Sequence, residues 1–548
     1  MKYLVTSALP YTNNLPHIGN IAGSHLPADI FQKLLRIFGY DVLFVGGTDE
    51  HGSPIEIAAI KEKTTPKELC DKYYVLHKKI YEWLRIDYDN FSRTSNKTNH
   101  EMTQYIFNKL YENKYIFEDK IILPYCENDK KFLPDRYVEG TCPYCKYERA
   151  RGDQCENCGR LLDPKDLINP KCSICGNKPI FKESKHLFID LRKLEKKLLK
   201  WINKNKHWKE NVRNFAISWI KEGLKPRSIT RDLSWGIKVP LEGYEDKVFY
   251  VWFDAPIGYI SSTKEYFEKI GKEEEWKNYW LKGSKAKIYH FLGKDNIPFH
   301  TIFWPAILMG TKEFNLPYNV VGLEYLNFEN RKISKSQNWG VFFEIENDKI
   351  FIRIKDKLYE IDSDYIRFYL AYILPENKDT NFFVEEFKEK INKELIGNFG
   401  NFTYRVLSFI EKYYSLKIPN AKLNREDKKI LNIFKESKKE IKIFIKNVEI
   451  KKVLYKILEL SSMANKFFQE NEPWKNEENR DKIIMISANL VKDLAILFWP
   501  FITKSSEKIF DLLNYNFKPQ NSIKRIGKIE LKNHIIKKPE IIFKPLEI

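Results

Sequence analysis

The chain has 548 residues, 43% of them hydrophobic and 30% charged, with a formal net charge of +19. That length exceeds a single compact core, and the balance is that of a globular protein with no apolar run near the ~20 residues that cross a membrane. The start, "MKYLVTSALPYTNN", is too short in apolar residues for a secretory leader, so a cytoplasmic chain is expected. The basic surplus suits a polyanionic partner, but lysine is abundant along the whole chain, so charge alone decides nothing.

The first elements predict a doubly wound α/β fold. "KYLVTSA" and "DVLFVGG" (41–47) read as buried parallel strands, and between them Ile21, Leu26, Ile30 and Leu34 recur at helical spacing. Pro27 is the misfit, since a proline inside a helix removes a backbone bond. "KIYHFLG" (287–293) and "YNVVGLEYL" (318–326) read as further strands of the same sheet. The Rossmann-type sheet is therefore expected to be split: first half 1–115, insertion 116–225, second half 226–320, and a linking region 321–385. From 386 to 520 the period turns helical, with Ile430, Phe434, Ile441 and Ile445 on one face, which predicts an α-helical bundle. A Lys- and Pro-rich tail, 521–548, is expected to pack along another domain.

The insertion holds all the cysteines except Cys70. Cys142, Cys145, Cys155 and Cys158 form two Cys-x-x-Cys knuckles, the spacing of a closed, structural Zn2+ site. Cys172 and Cys175 form another knuckle, and Cys126 with Asp129 has the same spacing with a carboxylate in the last place. These four predict a second zinc, against the alternative of a knuckle that has lost its metal.

Two polar segments carry chemistry. His17-Ile18-Gly19-Asn20 stands at the turn from the first strand into a helix. Helix N-termini there favour phosphate, and Gly19 lets a nucleotide lie close to the backbone. "NRKISKSQN" presents Lys332, Ser334, Lys335 and Ser336 on a loop, where lysines can be brought to a polyphosphate. Each alone reads as well as a capped turn or a solvated lysine loop.

Together the two segments resemble the HIGH and KMSKS signatures of the class I aminoacyl-tRNA synthetases, with Asn20 in place of the second histidine and Ile333 in place of the methionine. "SALPYTNNLPHIGN", "GGTDEHGSPIEIAA", "FYVWFDAPIGYI" and "HFLGKDNIPFHTIFWPA" are similar to the methionyl-tRNA synthetase family, and the zinc knuckles to its archaeal form. The resemblance covers nearly the whole chain. It implies that Leu9, Tyr11, Trp252, Ala255, Pro256, Tyr259, His300 and Trp304 enclose a methionine side chain, with Asp49 on its ammonium. It implies that His17, Asn20, Gly293, Asp295, Lys332 and Lys335 surround ATP and its Mg2+, with His17, Asn20, Lys332 and Lys335 catalytic. It implies further that Asn401, Arg405 and Trp474 of the helical domain read the anticodon of tRNA(Met). A monomer is expected, with a separate tRNA-binding chain as a conceivable partner. Two rivals stay open at this point: another class I synthetase, such as the cysteine enzyme, and a non-catalytic zinc-dependent RNA-binding protein.

Overall fold

The computed structural model describes residues 2–548 other than 153, 154, 156, 159, 161 and 336. Its centre is a five-stranded parallel sheet of β1 (Lys2–Ser7), β2 (Asp41–Thr48), β3 (Asn90–Arg93), β4 (Lys287–Gly293) and β5 (Asn319–Leu323), in the order β5-β4-β1-β2-β3. All four pairings are parallel. The strands are buried on both faces, which is why they read as apolar runs without alternation. The chain winds one way from β1 to β3 and the other way through β4 and β5. The carboxyl ends of β1 and β4 therefore flank the crevice where open α/β sheets bind ligands.

The segment expected as one strand through 326 ends instead at Leu323, and Leu326–Phe328 pairs separately with Thr380–Phe382. The helix after β1 is also more irregular than its period suggests. It runs α over Ile18–Asn20, π over Ile21–His25 and α again over Leu26–Ile37. The widened turn delivers Pro27 to the first turn of the last segment, where a proline costs no intrahelical bond.

Between β3 and β4 a long antiparallel ribbon, Ile116–Cys126 against Ile180–Ile189, carries the cysteine knuckles at its far end. A three-stranded antiparallel unit, Val341–Glu346, Lys349–Ile354 and Lys357–Tyr359, follows the lysine loop. The C-terminal region is helical, with long helices over Asn401–Tyr414, Lys429–Lys446, Ile450–Glu470 and Arg480–Phe498. Ile430, Phe434, Ile441 and Ile445 are all buried, as their spacing predicts. The tail runs back over the body: Leu546 bonds Asn392 in both directions, and the Tyr365 hydroxyl donates to the carbonyl of Lys544. No helix among the described residues is long and apolar enough to cross a membrane.

A buried ionic hub fastens the helical region to the helix that begins at His17. Arg367 donates to the carbonyls of Leu84, Pro500 and Phe501 and pairs with Asp29 at 2.8 Å, while Lys33 pairs with the same carboxylate at 2.9 Å and with Asp87 at 2.8 Å. Arg367, Lys33 and Asp29 have no exposed side-chain surface to speak of. Such a hub contributes little net stability, but removing one member strands a buried charge, which costs about 3–5 kcal/mol.

Candidate active site and metal centres

The loop after β1 turns into the helix through a reciprocal cap. Nδ1 of His17 accepts the backbone N–H of Gly19 at 3.0 Å, and Oδ1 of Asn20 accepts the backbone N–H of His17 at 3.0 Å. Burial, reinforced by the Lys335 charge, holds His17 down to about 3, so it is neutral. Nδ1 is occupied as an acceptor, so the proton lies on Nε2, which the turn leaves free to donate. Asn20 is exposed, and the cap uses only its oxygen, leaving the amide N–H2. Gly19 is required sterically: a Cβ there would lie 2.8 Å from the His17 ring and 3.3 Å from Ile333 of the lysine loop.

That contact brings the two signature segments together. The Lys335 ammonium hydrogen-bonds the carbonyl of Leu15, two residues before His17. The lysine as a whole is exposed, yet desolvation at that seat holds it down to about 8. Phe342, beyond the loop, bridges backbone to backbone with His17. Lys332 lies 5.2 Å over the Tyr325 ring, and the Tyr325 hydroxyl bonds Asp295. Gly293 closes β4, and a Cβ on it would meet nothing within 4 Å, so this edge of the crevice is open. Ser336 lies outside the described residues.

Beside β4, Tyr259, His290 and His300 form a cluster of rings in mutual contact. The Tyr259 hydroxyl is 3.0 Å from Nε2 of His300, whose Nδ1 is 3.0 Å from the carbonyl of Asn296. The carbonyl can only accept, so His300 carries its proton on Nδ1 and Tyr259 donates to Nε2. Burial keeps His300 neutral, down to about 4. Behind this pair, Trp304 is wholly buried and donates Nε1–H to His290, which meets Thr6 on its other nitrogen at 2.7 Å. Trp304 is thus a back wall, whereas Trp252 is 42% exposed and packs 5.5 Å from Phe299. Ala255 and Pro256 lead into the Tyr259 helix. The side chain of Leu9 closes against that helix, 3.3 Å from where a Cβ on Gly258 would stand.

Asp49 is the unusual group. It pairs with Tyr11 across a parallel bridge at the end of β2 and is 6% exposed. Its Oδ1 has no hydrogen-bond partner. Burial, and then the Asp254 carboxylate, hold its carboxyl well above the usual carboxylate range. A buried, unsatisfied acceptor facing another carboxylate is suited to a cation. Nδ1 of His51 lies 2.7 Å from the Asp254 carboxylate. Asp254, His51 and His290 escaped the reading of the sequence. For Asp254 and His290 the signal was present as polar residues set inside buried apolar runs, "YVWFDAPIGYI" and "KIYHFLG".

Seven cysteines and Asp129 gather as two sets of four. Cys142, Cys145, Cys155 and Cys158 place their sulfurs within 4.8 Å of one another, with Cys145 3.5 Å from Cys155 and Cys142 4.0 Å from Cys158. Tetrahedral Zn–S bonds of about 2.3 Å require S–S edges near 3.8 Å, so the cage fits. Cys126, Asp129, Cys172 and Cys175 gather likewise, with Asp129 3.1 Å from Cys126 and 3.0 Å from Cys172. Each set supplies four ligands and leaves no open position.

In the helical region Arg405 lies 5.6 Å over the Trp474 ring and 5.2 Å over Phe468, and donates to Gln469 at 2.8 Å. Asn401 is exposed one helical turn before Arg405. The guanidinium and the indole thus meet on one surface, although 69 positions separate Arg405 from Trp474 in the sequence.

Family models match most of the chain: "tRNA synthetases class I (M)" over residues 3–407 and "Anticodon binding domain of methionyl tRNA ligase" over 418–547. The chain is 44% identical to the methionine–tRNA ligase of Pyrococcus furiosus, over 99% of this chain and 75% of that protein. It is 42% identical to that of Sulfurisphaera tokodaii, over 100% of this chain and 96% of that one. Among solved structures, Mycobacterium tuberculosis methionyl-tRNA synthetase in complex with methionyl-adenylate superposes with a TM-score of 0.77 at 23% identity, over 99% of each chain.

Proposed function

The chain belongs to the methionyl class I aminoacyl-tRNA synthetases, and from that premise we propose that it is a methionine–tRNA ligase whose active site is the crevice at β1 and β4. It activates methionine with ATP to methionyl adenylate and pyrophosphate. It then passes the acyl group to the terminal ribose hydroxyl of tRNA(Met), initiator and elongator alike. The observation that carries this reading is Asp49: a buried carboxylate oxygen without a partner, beside a neutral pocket of rings, suits an ammonium attached to an apolar side chain. A thioether is soft and a weak acceptor, so aromatic walls and the Tyr259–His300 pair fit it better than they fit the smaller cysteine.

The attacking methionine carboxylate is already an anion and needs no general base. Catalysis then consists of holding it in line with the α-phosphorus and stabilising the phosphate charge. In this reading His17 donates from Nε2, Asn20 from its amide, and Lys332 and Lys335 supply positive charge. Gly293 and Asp295 border the adenosine. Mg2+ arriving with ATP screens the same phosphates. Zn2+ in the two cysteine sets would fix the end of the ribbon and take no part in the chemistry. Asn401, Arg405 and Trp474 read unpaired anticodon bases by stacking and edge hydrogen bonds.

The test is amino-acid-dependent ATP–pyrophosphate exchange across the amino acids. Exchange with methionine alone is expected. Exchange with cysteine, or with none, would refute the reading.

A further inference from the structure

Beneath the His17 turn, a line of hydrogen bonds joins the end of β1 to the nucleotide loop. Oγ of Ser7 is 2.7 Å from the Tyr88 hydroxyl, which is 2.7 Å from Nδ1 of His25. Nε2 of His25 is 3.3 Å from the Tyr81 hydroxyl, which is 3.5 Å from Nδ1 of His77. Nε2 of His77 ends the line, 2.6 Å from the carbonyl of Asn14. Ser7, His25, Tyr81 and His77 are each at most 1% exposed. Gly46 makes room for the line, since a Cβ there would come within 2.5 Å of the Tyr88 ring.

The last acceptor dictates every proton. A carbonyl only accepts, so His77 must donate from Nε2. Its Nδ1 is then an acceptor and takes the Tyr81 proton. Tyr81 accepts from Nε2 of His25, Nδ1 of His25 takes the Tyr88 proton, and Tyr88 accepts from Ser7. All donors run in one direction, the arrangement in which successive hydrogen bonds polarise one another. Burial agrees with it, holding His25 down to about 3 and His77 to about 4, so that both rings are neutral.

The line ends at a functional place. Asn14 directly precedes Leu15, whose carbonyl seats the Lys335 ammonium. Lys335 is also near enough to contribute to the depressed basicity of His77. We propose that His77 is a positioning residue for adenylate formation: it fixes the Asn14–Leu15 peptide, next along the chain to the Leu15 carbonyl on which Lys335 docks, with Tyr81 and His25 holding its tautomer. The proposal rests on the role given to Lys335 above.

The experiment measures methionine-dependent ATP–pyrophosphate exchange, methionine binding by tryptophan fluorescence, and melting, for His77→Leu, His77→Gln, Lys335→Ala and the double variant His77→Leu/Lys335→Ala. His77→Leu is expected to lower the exchange kcat by about tenfold, less than the roughly hundredfold that a misplacement of about 1 Å can cost, with methionine affinity within about twofold. His77→Gln, whose amide reaches the Nε2 position, is expected to recover most of the rate. Because His77 works through the lysine, the double variant should be no slower than Lys335→Ala alone. Additive losses, failure of the glutamine to rescue, or equal losses in rate and methionine affinity would overturn the proposal while leaving the lysine's role standing. Normal exchange in Lys335→Ala would remove both.

Discussion

Asp49→Asn makes the sharpest demand on the structure, because it predicts opposite effects on two measurements. In the ligand-free protein Asp49 carries an unpartnered oxygen in a buried site facing Asp254, and its pKa stands well above the unfolded value. Over the pH range between the two values the folded state binds more protons than the unfolded chain, so stability falls as pH rises through it. Asparagine removes that penalty and keeps an oxygen for the His51 backbone N–H, which the carboxyl now accepts. The ligand-free variant should therefore melt no lower than wild type at neutral pH, and higher if the penalty is large. Methionine binding should move the other way. Removing one partner of a buried ion pair costs about 3–5 kcal/mol, equivalent to roughly two to three and a half orders of magnitude in affinity. At a pH between the two values part of the wild-type gain goes into ionising Asp49, so there the loss should fall near the lower end, about a hundredfold. Calorimetric titration with methionine in two buffers of different ionisation enthalpy reads both effects. At a pH between the unfolded and folded values of Asp49, wild type releases a proton on binding, and the variant releases none. Affinity within about threefold of wild type, or a clearly lower melting temperature in the ligand-free variant, would refute the assignment of Asp49 to the ammonium.

Two more outcomes concern the other sites. Trp474→Ala removes a stacking surface that is worth about 1–3 kcal/mol per base in such contacts. It should leave methionine-dependent exchange near normal and cut tRNA charging about tenfold or more; equal loss in both assays would indicate a folding defect instead. Metal analysis should find two zinc ions per chain, one for each set of four ligands, and one after Cys172→Ala with Cys175→Ala. A wild-type value of one would confine the metal to the four-cysteine set.

What the sequence determined by itself was whatever repeats locally. Continuous apolar runs predicted the strands of a sheet buried on both faces. The 3.6-residue period predicted the helix of Ile430, Phe434, Ile441 and Ile445. Two knuckles ten residues apart predicted a metal cage, and the spacing of Cys126 to Asp129, beside the Cys172–Cys175 knuckle, put Asp129 forward as a candidate fourth ligand, which the structure brings together with those three cysteines. The paired signatures, once set beside each other, named the crevice. What the sequence could not supply was the partner of each buried polar group. Asp129 meets Cys172 across 43 positions, His51 meets Asp254 across 203, and Lys335 meets Leu15 across 320. Strand order and packing decide those meetings, and no local period encodes them. The same holds for Asn20, whose replacement of a histidine looked like a change in a phosphate ligand. The fold shows that its oxygen caps His17 and so helps to fix which nitrogen of that histidine carries the proton. Spacing tells where a polar side chain enters the core. Only the packed chain tells what it meets there, because a buried donor or acceptor is defined by its partner or by the lack of one.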